Sequence, residues 1–186
     1  MTDSTAAIAT PTEVLAFWRE AGPDFWFVKD EAFDRAITER FRATYEAAAA
    51  GSLESWEQTA EAVLALVIVL DQFPRNMFRG TPRAFAADPL ALAIAERAVG
   101  KGLDRLIGPD LRSFLYLPME HCEQIGVQRR SVALFATLGD AELDRYAIVH
   151  HDLIAAYGRF PHRNAILGRT STPEELAFLE TDGFKG

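Results

Sequence analysis

The 186-residue chain has one cysteine, Cys122, so it can close no disulfide within itself. A single thiol suits a reducing compartment and excludes the small secreted domains that depend on disulfides. Basic residues are also scarce. Nineteen Lys and Arg stand against 27 Asp and Glu, for a net charge of −8 and a pI near 5.0. That balance excludes a nucleic-acid backbone or an anionic membrane as the main partner, because both need a basic face. Long apolar runs are missing too. The longest, Ala62 to Leu70, has nine residues, about half the ~20 that a membrane helix requires. Met1-Thr2-Asp3-Ser4-Thr5 is acidic and no long apolar stretch follows it, so no export signal is expected. Strand patterning is nearly absent. Phe25-Trp26-Phe27-Val28 is strand-like, but no second run exists to pair with it, and a hydrophobic plug is the better reading. These absences point to a cytoplasmic protein.

What remains is helical. The Ala62–Leu70 run has no polar face, and a helix apolar all round belongs in the middle of a fold. Phe33, Ile37, Phe41 and Tyr45 recur every four residues and mark one buried face of a second helix. Thr10-Pro11, Asp30, Asp88-Pro89 and Thr172-Pro173 read as helix starts, and Ser52 as the beginning of the helix leading into the central run. Leu176 and Leu179 are expected to anchor the last helix. Residues 1–10 are expected to be frayed, and 11–186 to form one domain. The predicted fold is all-α: about eight helices in antiparallel hairpins around the central apolar helix.

The central run turns polar within two residues and ends on Phe73-Pro74-Arg75-Asn76, delivering Asp71, Gln72, Arg75 and Asn76 to one end of the core. An echo follows 87 residues on, as Phe160-Pro161-His162-Arg163-Asn164. It is either an old duplication or one physical solution used twice. As helix stops, both segments make sense: proline cannot continue a helix, and arginine suits the negative end of the dipole. Charge suggests more. Arg75, Arg79, Arg83, Arg159, Arg163 and Arg169 put six of the 19 basic residues into these two loops. Guanidinium groups match carboxylates and phosphates in a two-point fashion. If the loops meet, Asp71, Arg75, Asn76, Glu123, Arg159, His162, Arg163 and Asn164 are the candidate ligand-binding residues.

Glu120-His121-Cys122-Glu123 is the other polar cluster. A carboxylate beside an imidazole is the minimum for acid–base work, so His121 and Glu120 are the candidate catalytic pair. Glu120 and Glu123 would share a helix face. The alternative is that these acids pair structurally with the loop arginines. No metal site is expected, because no His-x-x-x-His or Cys-x-x-Cys spacing occurs; His150 and His151 read as surface or cap residues. No cofactor is expected either.

Leu70-Asp71-Gln72-Phe73-Pro74-Arg75-Asn76, Leu117-Pro118-Met119-Glu120-His121, Ser131-Val132-Ala133-Leu134-Phe135, Gly158 to Asn164 and Leu167 to Glu175 together resemble the bacterial family catalogued as domain of unknown function 924. The resemblance runs from about Val14 to Leu179. It implies an all-helical, tetratricopeptide-like fold and no particular activity. Cys122 stands where the resemblance leads one to expect serine, which speaks against a serine-based mechanism there. The functional expectation is a protein that binds a small anion, phosphate or carboxylate, in an Arg/His/Glu-lined pocket, with or without a reaction upon it. The alternative is a tetratricopeptide-like module that binds a peptide, and a third reading, an assembly subunit, would need Phe25, Trp26 and Phe27 exposed.

Overall fold

Ten α-helical segments succeed one another along the computed structural model, which describes residues 7–181. They are α1 (Pro11–Ala21), α2 (Pro23–Trp26), α3 (Glu31–Ala49), α4 (Ala60–Val67), α5 (Phe73–Met77), α6 (Asp88–Gly100), α7 (Arg112–Glu120), α8 (Ile125–Phe135), α9 (Ala141–Tyr157) and α10 (Pro173–Glu180). No strand occurs among the described residues, and the all-α expectation holds. No helix among them is long and apolar enough to cross a membrane.

Local chemistry explains where half of these helices begin. Thr10 with Glu13, and Thr172 with Glu175, form reciprocal capping boxes at α1 and α10. Asp30 caps α3 and Asp140 caps α9. Each satisfies amide donors that a helix start leaves open. The helix expected from Ser52 is instead split. A 3₁₀ turn covers Glu54–Gln58, and Thr59, in extended conformation, caps α4 with its hydroxyl. At the N-terminus, Ala9 is tied down, since its N–H donates to Thr44 Oγ1 at 2.8 Å; residues 1–6 of the segment expected to fray lie outside the described residues.

Every residue from Val63 to Pro74 is buried. α4 packs against α1, α6 and α7, and its continuation α5 packs against α3. This rod is the middle of the molecule, as its sequence requires. It does not stay α-helical, however. Ile68–Gln72 is a π turn joining α4 to α5 without a break. Pro74 supplies the reason: a proline in a helix has no N–H and crowds the carbonyl four residues back. A wider turn just before it relieves that crowding. Around the rod, Trp18, Phe41, Phe73 and Phe114 are fully buried, and Trp18 makes edge contacts with Phe73 and Phe114. Trp26 plugs this core, donating its indole N–H to the Trp18 carbonyl at 2.7 Å, while Phe25 and Phe27 remain exposed.

α10 is not moored as expected. Leu176 is exposed, and the buried residue of the helix is Glu175. Arg159 grips that carboxylate through two bonds of 2.6 and 2.8 Å, and Phe178 packs on Tyr157. An ion pair and one ring moor the helix beside the half-buried Leu179, and Leu176 takes no part.

Candidate functional site

The π turn delivers Asp71 to the end of the rod with no exposed surface at all. Burial alone would raise the pKa of its carboxyl. The Arg75 charge and the bond to His121 outweigh burial and hold Asp71 well below the usual carboxylate range. Arg75 lies one helical turn on. Its guanidinium donates to the Asp71 carbonyl and reaches across to Asp88, with two bonds of 3.1 Å.

Arg163 arrives from the 3₁₀ turn Pro161–Arg163. Its Nη1 lies 3.4 Å from Asp88 Oδ2 and donates to the His121 carbonyl at 3.1 Å. The guanidinium is flanked by the Phe85 and Phe160 rings, at 4.7 and 4.5 Å, contacts that favour a desolvated cation. Burial and the neighbouring Arg75 nonetheless bring its pKa down to about 10. Its Nε has no hydrogen-bond partner. The two echo segments therefore meet, and Asp88 bridges them.

His121 caps the C-terminus of α7, and its Nδ1 lies 2.9 Å from Asp71 Oδ1. Because Asp71 is ionised, Nδ1 carries the proton and donates it to the carboxylate, leaving the Nε2 lone pair as the basic site. Burial, with Arg75 next in effect, depresses the ring's pKa to about 4. Glu120 is buried beside it. Burial and the Asp71 charge push its carboxyl up to about 8, so it is largely protonated at neutral pH. One Glu120 oxygen lies 3.2 Å from His150 Nδ1, which also bonds the Tyr146 carbonyl at 2.8 Å. The His121 and His150 rings are 6.2 Å apart.

Glu123 stands at the rim. It accepts the Phe160 N–H at 2.8 Å and two bonds from Arg169, at 2.6 and 3.0 Å. His162 packs against Phe160, and burial lowers its pKa to about 4. Of the candidates named from sequence, Asp71, Arg75, Glu120, His121, Glu123, His162 and Arg163 thus share one neighbourhood. The other three are engaged elsewhere. Asn76 donates to Asp34 at 2.7 Å, Arg159 holds Glu175, and Asn164 donates to Ser171 and Glu175 at 3.0 Å each.

Four sequence readings need correction. Phe73-Pro74-Arg75-Asn76 is not a helix stop, because the wider turn before Pro74 lets the helix run on through it as α5. Glu120 and Glu123 do not share a helix face, because α7 ends at Glu120. His150 is buried, on a stripe with Ala147, Leu153 and Ile154 that forms the inner face of α9; the helical spacing could have marked its burial, though not its partners. Asp88 is the first residue of α6 and makes no cap bond; the cap position is Ala87. Nothing local separates a capping aspartate from one a residue later, so its role emerges only from Arg75 and Arg163. Among the described residues, no three or more His, Cys, Asp or Glu side chains are grouped so as to hold a metal ion.

Comparison with other proteins adds a relationship and no activity. Residues 14–183 match the model of a family described as bacterial protein of unknown function (DUF924). A solved structure, that of the protein of unknown function ATU0120 from Agrobacterium tumefaciens, is 46% identical and superposes with a TM-score of 0.89, over 91% of this chain and 96% of that one. No curated relative matches.

Proposed function

The chain belongs to the DUF924 family of bacterial proteins, and on that premise we propose that it binds a small anion against Arg75 and Arg163, with His121 as base and Glu120 as proton donor. One observation carries this reading. A buried carboxylate, Asp71, orients His121 at 2.9 Å beside two guanidinium groups that themselves depress the ring's pKa. An anion lying on those guanidiniums offsets their charge. Burial, the largest cause of the depression, remains, but the His121 pKa rises from about 4, and the ring becomes a stronger base when ligand is present. Asp71 stabilises the imidazolium formed when Nε2 takes a proton, as the orienting acid of a triad does. Glu120, held protonated by burial, can return one. The rim is partly open: the side chains of Arg75, Asp88 and Glu123 retain 22, 17 and 28% of their exposure.

The peptide-binding alternative draws less support. The candidate side chains gather at one spot, where Arg163 bonds the His121 carbonyl, rather than along a groove spanning several helices. The test is thermal denaturation of the wild type with small phosphate esters and small carboxylic acids, since a ligand specific to the folded state raises the melting temperature. The expected result is a rise that Arg163→Gln abolishes while the variant keeps its helical circular dichroism, and a His121 pKa, read by NMR, that increases on binding. Unfolding of both the Arg75→Gln and Arg163→Gln variants makes these arginines structural and removes the proposal.

A further inference from the structure

Asp88 is an odd partner for two arginines that lie 13 and 75 residues away from it along the chain. It opens α6 yet gives nothing to that helix's amides, and its carboxylate lies instead between Arg75 and Arg163. The arrangement around it is asymmetric. Arg75 makes a two-point contact with both oxygens, the geometry a planar carboxylate satisfies and a tetrahedral phosphate satisfies less closely. Arg163 reaches Asp88 only at 3.4 Å, and both of its hydrogen bonds come from Nη1. Its Nε is buried and has no partner, on a residue 7% exposed. An unmatched guanidinium donor of this kind is costly to bury, and it is a donor that a second carboxylate can satisfy.

Resting on the reading above, we propose that the ligand of this site is a carboxylate, and that Asp88 is its internal stand-in, occupying the Arg75–Arg163 pair until the ligand displaces it. Charge decides the class. Asp71, Asp88 and Glu123 face Arg75, Arg163 and Arg169. Exchanging one carboxylate for another preserves this balance, whereas a phosphate dianion adds a negative charge beside the fully buried Asp71. Burial, joined by repulsion from Asp71, raises the Asp88 pKa in spite of the two guanidiniums, so its ionised form is held against an opposing cost. Displacement needs little rearrangement. Asp88 is a first-turn residue, already partly exposed, and a side-chain rotation carries its carboxylate into water near the positive end of the α6 dipole.

The test compares the wild type and Asp88→Asn by isothermal titration calorimetry with acetate and with inorganic phosphate, at constant ionic strength held with chloride. Removing an internal competitor raises apparent affinity by the reciprocal of the fraction of time the site is free of it. The expected result is acetate binding to the wild type, tightened about tenfold or more in Asp88→Asn, with phosphate weaker than acetate in both. If Asp88→Asn is too unstable to titrate, its melting temperature should climb with acetate more steeply than that of the wild type and show no such response to chloride. Equal acetate affinity in the two proteins overturns the stand-in and leaves the anion site intact. Phosphate preferred over acetate overturns the carboxylate class and again leaves the anion site. Acetate binding by the variant with none by the wild type makes Asp88 a permanent strut and overturns the inference. No anion bound by either protein overturns the function proposed above and this inference with it.

Discussion

Phe73-Pro74-Arg75-Asn76 and Phe160-Pro161-His162-Arg163-Asn164 use nearly the same residues to do parallel jobs in different settings. In both, the phenylalanine is fully buried, in the main core for Phe73 and in a smaller cluster with Leu153 and Ile154 for Phe160. In both, the arginine turns to Asp88. In both, the asparagine shares a distant carboxylate with another arginine: Asn76 and Arg79 meet on Asp34, and Asn164 and Arg159 meet on Glu175. The backbones differ. The first segment is α-helical and continues the buried rod; the second is a 3₁₀ turn after α9 has ended at Gly158, in left-handed conformation. The motif is thus a set of side-chain attachments, not a backbone shape. Its first copy is locked to the core, and its second is held mainly by charge.

Breaking each copy at its carboxylate exposes that difference. Asp71→Ala removes the partner that Arg75 and His121 share inside the rod, and should cost about 3–5 kcal/mol, read as a cooperative loss in urea unfolding. Glu175→Ala should cost less, about 2 kcal/mol, and locally: amide exchange in α10 accelerates while α4 and α7 keep their protection. Global unfolding by Glu175→Ala would show that the second copy is also part of the core.

The pH dependence sharpens the contrast between the histidines and Glu120. His121, His150 and His162 are each depressed from 6.5 to about 4. Unfolding lets them take protons, so their contribution is complete above about pH 6.5 and is lost as the pH falls toward 4. Glu120 is raised from 4.5 to about 8 and behaves oppositely. Its contribution is complete below about pH 4.5 and is lost as the pH rises through 8. Three groups against one on the acid side, and Glu120 alone on the other, put maximal stability near pH 6.5. Glu120→Gln should flatten the decline between pH 6.5 and 8, worth roughly 1 kcal/mol per pH unit, and steepen the acid decline by a similar amount, because Glu120 opposes the histidines there. Thermal melts from pH 5 to 8 measure both limbs. The smallest effect belongs to the exposed edge of the first copy: Arg79→Ala, on a side chain 38% exposed, should cost no more than about 1 kcal/mol.

The helix starts at Thr10, Asp30 and Thr172, the stripe Phe33, Ile37, Phe41, Tyr45 and the buried rod were legible because they arise from contacts within a turn or two of chain. The two arginine segments were legible as a repeated pattern, but their meeting was only a condition of that reading, and the fold supplied it. The partners were not. Asp34, Asp88, His150 and Glu175 carry no local sign of the carboxylate or imidazole role they take. Asp88 reads equally well as a cap, and Leu176 reads as an anchor although it is exposed and Glu175 is buried.

By itself, then, the amino-acid order determined an all-helical molecule threaded by an apolar rod with a charged end, since backbone hydrogen bonding and helical periodicity act over a few residues. Tertiary structure decided which guanidinium meets which carboxylate, across separations of 46 residues for Arg169 and Glu123 and 75 for Arg163 and Asp88. Those pairings depend on how whole helices pack, and a shift of a few ångströms between two of them would exchange one partner for another.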